Sequence, residues 1–208
     1  MDLVLGIDLG GSFIKAGAVD PIAGHVIGEL KSVPTPTGAT VEATQQALAN
    51  LVAQFPQCQG AVGLAFPSVV VRGVTLTAAN IDKGWIGMDA GAVLTTAAGR
   101  PGVVVNDADA AGIAEMRMGA GRGEKGAVLM LTFGTGIGSA LFYNGVMWPN
   151  TELGHLEVMG REAEHLASAK VRTAEQLDWP AWCERVNLVL ARYDALFWPD
   201  VFIIGGGV

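Results

Sequence analysis

Residues 3–19 read LVLGIDLGGSFIKAGAV and residues 127–143 read AVLMLTFGTGIGSALFY. Each is an apolar run, a glycine-rich turn and a second apolar run, the pattern of two short strands joined by a tight connection. The first turn is Gly10-Gly11-Ser12 and the second is Phe133-Gly134-Thr135-Gly136, so the two halves of the chain carry a partial internal echo. The second turn also contains a G-x-G-x-G run, the beginning of a dinucleotide-binding fingerprint. That fingerprint requires a helix after its glycines, whereas residues 139–143 followed by Asn144-Gly145 read as a strand entering a turn.

Outward from the first hairpin, an apolar run at 25–33 completes an antiparallel meander. The Pro34-Thr35-Pro36 break follows, and over 41–55 Leu48, Leu51, Val52 and Phe55 recur at helical spacing. Strands are expected at 60–66 and 101–105, the latter ending on Asn106-Asp107 before a helix-like stretch at 108–118 and a glycine loop at 119–126. Beyond the second hairpin, a polar, alanine-rich helix is expected at 161–172 and another from Trp179 to Phe197, with Asp178 as N-cap. A last strand at 201–204 enters Gly205-Gly206-Gly207. Such a strand normally leads into another element, so either the chain is expected to continue past Val208 or a terminal segment has been lost. Helices alternating with strands predict an α/β protein of two lobes. We place them at 1–105, with the first glycine turn, and 106–208, with the second and an apparently truncated C-terminus.

The chain has 208 residues, half of them hydrophobic and 16% charged, enough to bury a full core. A net charge of -7 excludes general nucleic-acid binding and requires any polyanionic ligand to meet a local basic patch. Cys58 and Cys183 are the only cysteines and lie outside any C-x-x-C spacing, which predicts neither a disulfide framework nor a zinc motif. No basic n-region precedes the first apolar run, so a cytoplasmic location is expected. Residues 126–151 are free of charge and long enough to span a bilayer, but Gly134, Gly136 and Gly138 interrupt them at every second position. Two strands and a turn fit better than a helix in lipid, so no membrane partner is expected.

Phosphoryl transfer needs backbone N–H groups on phosphate oxygens, carboxylates for a metal, and a base beside the accepting hydroxyl. Asp8 closes the first strand, and Gly10, Gly11 and Ser12 let the backbone approach phosphate closely; an ordinary hairpin turn is the plain alternative. Asn106-Asp107 stands where a strand gives way to a helix, a position suited equally to a helix cap and to a polar pair in an active cleft, with Asp109 a second nearby acid. Glu152-Leu153-Gly154-His155 sets an acid and an imidazole around a glycine, suited to a polyhydroxylated ligand or to a solvated loop. Arg117, Arg122 and Lys125 surround the glycine loop and, with Lys83, are candidates for the basic patch.

In this order the motifs resemble the ROK sugar kinases (repressors, open reading frames and kinases). They are Asp8-Leu9-Gly10-Gly11-Ser12, Asn106-Asp107, Gly134-Thr135-Gly136, Glu152-Leu153-Gly154-His155 and Gly205-Gly206-Gly207-Val208. The resemblance implies the actin-like ATPase fold (ribonuclease H-like), two lobes with a central cleft. It implies Asp107 as general base and Asn80, Asn106, Glu152 and His155 as sugar ligands. Asp8, Gly10, Gly11, Ser12, Lys15, Gly134, Thr135 and Gly136 would hold phosphate and Mg2+, and Gly205, Gly206 and Gly207 would form the nucleotide end.

Most of the family carry a cysteine-rich zinc motif after that histidine, yet residues 156–172 contain no cysteine, so no zinc is expected. In this feature, and in residues 80–87 and 132–141 and Asn150-Thr151-Glu152, the chain resembles the family's polyphosphate-using glucokinases. That branch implies phosphorylation of glucose at its 6-hydroxyl from inorganic polyphosphate or ATP with Mg2+ as cofactor, and the family implies a homodimer; Lys83, Arg117, Arg122 and Lys125 are the basic residues expected on the polyphosphate. An ATP-dependent hexokinase for another sugar and a truncated, non-catalytic binding remnant are the alternatives. A repressor of the family would need a DNA-binding helix-turn-helix before the first motif, which here begins within ten residues of Met1.

Overall fold

The computed structural model of the chain describes residues 3–79 and 81–207; Asn80, an expected sugar ligand, lies outside them. The chain divides between Ala110 and Ala111 into two compact units. In the first, β1 (Val4–Leu9), β2 (Phe13–Asp20) and β3 (His25–Pro34) form the expected antiparallel meander. Alternation along β1 buries Leu5, Ile7 and Leu9 and turns Asp8 to the other face. Helix α1 (Val41–Val52), N-capped by the Thr40 hydroxyl, ends three residues before its expected limit, and the buried Phe55 packs from the turn that follows. Strand β4 (Val62–Phe66) then enters parallel to β1.

The short hairpin of β5 (Val70–Val71) and β6 (Val74–Thr75) leads to a 3-10 turn at Lys83–Trp85 and to α2 (Ala90–Ala98). Helix α2 carries no signal in our sequence reading, because Gly91, Thr95 and Thr96 dilute its apolar spacing. Its caps define it: the Asp89 carboxylate accepts from the Ala92 amide at 2.8 Å, and Gly99 closes it in the left-handed conformation at φ 64. Strand β7 (Gly102–Asn106) completes a sheet of order β3-β2-β1-β4-β7, parallel to β4, and passes directly into α3 (Asp107–Met118), within which the two units divide.

In the second unit β8 (Ala127–Phe133) and β9 (Ile137–Tyr143) form the echoed hairpin, flanked by β10 (Val146–Trp148) and β13 (Val201–Gly206) in the order β10-β9-β8-β13. β13 runs parallel to β8. Both faces of β8 are covered. Leu129, Leu131 and Phe133 pack with Trp182, Val189 and Tyr193 of α6 (Trp179–Phe197), while Val128 and Met130 pack with Ala111, Ile113 and Met116 of α3. A strand buried on both faces reads as a continuous apolar run, which is why residues 126–151 imitate a membrane span. Among the described residues no helix is long and apolar enough to cross a membrane.

The continuous helix expected at 161–172 is corrected. After β11 (Glu157–Val158), residues Arg161–Glu162 form β12, and then come two short helices, α4 (Ala163–Ala167) and α5 (Ala169–Ala174). Ser168 separates them: extended at φ -65 and ψ 158, it ends α4, and its buried hydroxyl caps α5 by accepting from the Val171 amide. Helix α6 keeps its expected bounds, with Asp178 as N-cap to the Ala181 amide.

Trp85 anchors the segment between β6 and α2. Trp85 is 1% exposed, meets the Phe66 ring edge-on at 4.8 Å and donates its indole N–H to the Ala39 carbonyl at 2.9 Å. The Thr75 hydroxyl bonds the Trp85 carbonyl from below. Trp85→Ala is expected to destabilise the protein by about 3–5 kcal/mol, measured by chemical denaturation. A loss below about 1 kcal/mol would show that the segment is held by other contacts.

Candidate active site

The first unit contributes residues from the ends of its three parallel strands. Asp8 of β1 pairs with Ala65 of β4, which pairs with Val105 of β7, and Phe66 pairs with Asn106. The strands therefore end level, and the segments leaving them are Gly10-Gly11-Ser12, Pro67-Ser68 and Asn106-Asp107. In open α/β sheets these carboxyl ends are where ligands bind. Asn106 is buried and heavily used: its Oδ1 accepts from the Ala108 and Asp109 amides at 2.9 and 3.1 Å, and its Nδ2 donates to the Ser68 carbonyl at 3.1 Å. It is the cap of α3, with one Nδ2 hydrogen left for a ligand.

The same cap separates the two nearby acids. Asp109 is 2% exposed, whereas Asp107 opens to solvent. Protein around Asp107 displaces enough water to raise its carboxyl above the ordinary value; the Ala108 amide, bonded to Oδ1 at 2.9 Å, opposes this, and the negative charge of Asp8 adds to it. Asp8 and Asp107 thus sense one another at the level ends of β1 and β7. Lys15, exposed on β2, is Asp8's partner in register. Lys83 is exposed and its ammonium donates to the Ala78 carbonyl at 2.6 Å.

In the second unit the turn after β8 is braced on two sides. The Gly134 carbonyl accepts from the Lys170 amide at 3.1 Å, and the Phe133 carbonyl accepts from the Gly207 amide at 3.2 Å. Register places Gly205 beside Thr132 and Gly206 beside Phe133, so the terminal glycines lie against the Gly134-Thr135-Gly136 turn. Gly206 has φ 117, and a Cβ there would overlap the Phe133 backbone; no other residue fits.

A single buried hydroxyl fixes Glu152. Ser139 Oγ donates to the Thr151 carbonyl at 2.6 Å and accepts from the Leu153 amide at 3.1 Å, pinning the backbone on both sides of the acid. From α6 the Tyr193 hydroxyl donates to the Leu153 carbonyl at 2.6 Å. His155 then meets three carboxylates: its Nδ1 lies 3.2 Å from Glu162 and 4.0 Å from Glu164, and its Nε2 lies 3.9 Å from Glu152.

Glu162 and Glu164 are residues our sequence reading missed. Glu164 packs against Gly136, where a Cβ would press on its carboxylate, and touches Gly154, where a Cβ would instead overlap the Ile137 carbonyl. The available signal was an acid-imidazole pair, Glu164-His165, set between Ala163 and the Leu166-Ala167 pair, all three of which are buried. His155, Glu162 and Glu164 also bring potential metal-ligand atoms within 4.8 Å of one another, though without a thiolate. Arg117, Arg122 and Lys125 are exposed around the 119–126 loop, and among the described residues none of the three is in an ion pair.

Comparison with known proteins gives this arrangement its family. The sequence matches the ROK family over residues 4–170. It is 47% identical to a polyphosphate glucokinase of Mycobacterium tuberculosis, over 98% of this chain and 77% of that one, and 44% identical to the polyphosphate glucokinase of Mycobacterium leprae, over 98% and 63%. Its fold superposes on an inorganic polyphosphate/ATP-glucomannokinase from Arthrobacter sp. strain KM with a TM-score of 0.94, at 46% identity, covering all of this chain and 84% of that one. A ROK glucokinase from Streptomyces griseus, solved with glucose and AMPPNP, gives a TM-score of 0.82 at 27% identity, over 99% and 83%. The chain belongs to the ROK family, and its fold is the actin-like ATPase fold of the ROK sugar kinases.

The hydrogen bond that the His155 imidazole donates to Glu162 raises its pKa above the ordinary value, with the charges of Glu164, Glu162 and Glu152 adding to it against the opposing cost of burial. This protonated pairing contributes to stability below the unfolded imidazole value and fades as pH rises through the higher folded one. Imidazole NMR is expected to place the His155 midpoint above the ordinary value of about 6.5, and Glu162→Gln should lower it. An unchanged midpoint in that variant would remove Glu162 as the cause.

Proposed function

We propose that this chain transfers a phosphoryl group from inorganic polyphosphate to the 6-hydroxyl of glucose. The reading is supported by identities of 44–47% to polyphosphate glucokinases and by the family's fold. The geometry that carries it is Asp107: an acid open to solvent at the end of a parallel strand, its carboxyl raised toward the range of a general base while Asp109 beside it is buried. The Asp107 carboxylate takes the 6-hydroxyl proton as the sugar oxygen bonds to the terminal phosphorus, and the bond to the bridging oxygen breaks to release a shortened polyphosphate. Glu152 and His155, and Asn106 through its remaining N–H, hold the sugar hydroxyls, with Asn80 assigned to the same task. Backbone amides of the two glycine turns hold the phosphate oxygens.

Asp8, which faces away from the core and interacts electrostatically with Asp107, fits a hard divalent cation and would hold Mg2+ with donor oxygens; such an ion supplies positive charge to the transferring phosphate when bound. Arg117, Arg122 and Lys125, exposed and unpaired among the described residues, are assigned to the polyphosphate chain together with Lys83. ATP is the second donor. The Arthrobacter relative is named for both donors, and Gly205, Gly206 and Gly207 are assigned to the nucleotide end. The proposal includes a cytoplasmic location, consistent with two free cysteines, and a homodimer, which light scattering would test.

Asp107→Asn is expected to lower kcat by about 10² to 10⁴ with little change in glucose affinity, while Asp109→Asn keeps turnover at the temperatures where it stays folded. The acid limb of the wild-type kcat profile should lie above the ordinary carboxylate value of about 3.9. Donor preference is read from kcat/KM at matched Mg2+ and two salt concentrations, where polyphosphate use should weaken with salt more steeply than glucose binding. A near-normal Asp107→Asn enzyme would overturn the base assignment; a higher kcat/KM for ATP, or salt-insensitive polyphosphate use, would overturn the donor.

A further inference from the structure

The first glycine turn is held by a residue outside it. The Thr35 hydroxyl donates to the Gly10 carbonyl at 2.6 Å, and the Thr35 amide donates to the Ser12 carbonyl at 3.0 Å. Gly10 donates its own amide to the Phe13 carbonyl at 3.0 Å. Both carbonyls flanking Gly11 are thus drawn toward Thr35. In a trans peptide the N–H points opposite to the C=O, so pinning the Gly10 carbonyl turns the Gly11 amide away from Thr35. Among the described residues, the Gly11 and Ser12 amides have no hydrogen-bond acceptor. A Cβ on Gly11 would meet nothing within 4 Å, which leaves open space above that amide.

Thr35 is suited to this task by its neighbours. It lies between Pro34 and Pro36, and the following proline restricts it to extended conformations, so little freedom is lost in holding the clamp. The turn and the clamp border a cavity of about 490 Å3, lined by Gly11, Ser12, Thr35, Thr37 and Asp82 among others. An anion bonded to the free amides has room there, and the cavity's hydroxyls add further donors.

We propose that Thr35 is a positioning residue for the phosphoryl donor: by holding the Gly10 carbonyl inward, it keeps the Gly11 amide directed at the donor's terminal phosphate, while its own amide anchors the far end of the turn at the Ser12 carbonyl. This rests on the reading of the chain as a sugar kinase whose first glycine turn binds phosphate. Thr35 touches no reacting atom and acts through the turn.

The test separates donor from acceptor. Thr35→Val keeps the shape and the backbone amide and deletes only the hydroxyl donor. It is expected to raise KM for polyphosphate, and for ATP where ATP is used, by about ten-fold, the ordinary effect of one lost hydrogen bond to a part-buried carbonyl. Glucose affinity, followed by tryptophan fluorescence without donor, should not change, and Thr35→Ser should restore most of the loss. Thr35→Ala serves as a second deletion if Thr35→Val folds poorly. An unchanged donor KM, a parallel loss of glucose affinity, or failure of Thr35→Ser to rescue would overturn the assignment while leaving the kinase reading intact. A wild-type protein that phosphorylates glucose with neither donor would overturn both.

Discussion

Parallel pairing of β1, β4 and β7 is the constraint on which the first unit depends. Parallel strands need a crossover between them, and here α1 and α2 supply those crossovers, each capped by a side chain from the preceding residue, Thr40 and Asp89. Because the three strands run in one direction and end level, the chain leaves the sheet three times at one edge. Asp8, Ser68 and Asn106-Asp107 are delivered there by separate parts of the sequence. The raised carboxyl of Asp107 follows from that delivery, since burial beside the sheet and the charge of Asp8 act on the same group.

The second unit solves a different problem with the same hairpin. Its glycine turn is not held by a later threonine but by the Gly207 amide just past β13 and by the Lys170 amide. Both faces of β8 are packed, so the polar functions are displaced to the segment after β10. There the backbone would be free to wander, and Ser139 and Tyr193 prevent it by bonding Thr151 and Leu153, the residues on either side of Glu152. Buried hydroxyls that bond backbone groups fix geometry without adding charge, which suits a place where three carboxylates already gather around one imidazole.

Much of this architecture was legible in residue pattern. The two hairpins, the cap at Asp178 and the strand leading into Asn106-Asp107 are local signals, carried by apolar spacing and glycine placement. Boundaries were less legible where a turn continues an apolar run, as at Phe55, or where a strand extends into glycine, as at Gly205 and Gly206. Helix α2 was missed because small and β-branched residues mask its period. The break at Ser168 was missed because a serine within an alanine-rich stretch reads as helix until its hydroxyl is seen capping the next one.

By itself the sequence determined the order of the motifs, the candidate acids, and the absence of cysteine from residues 156–172, because each is a matter of residue identity and spacing. The tertiary structure alone distinguished Asp107 from Asp109, since the two differ in exposure through the turn of α3 and not in chemistry. It alone brought Glu162 and Glu164 to His155, Ser139 to both sides of Glu152, and Thr35 to Gly10 across 25 residues of chain. These are contacts between distant positions with no periodic signature. They exist because the sheets fix where the chain turns, and hydrogen bonds then form wherever those turns meet.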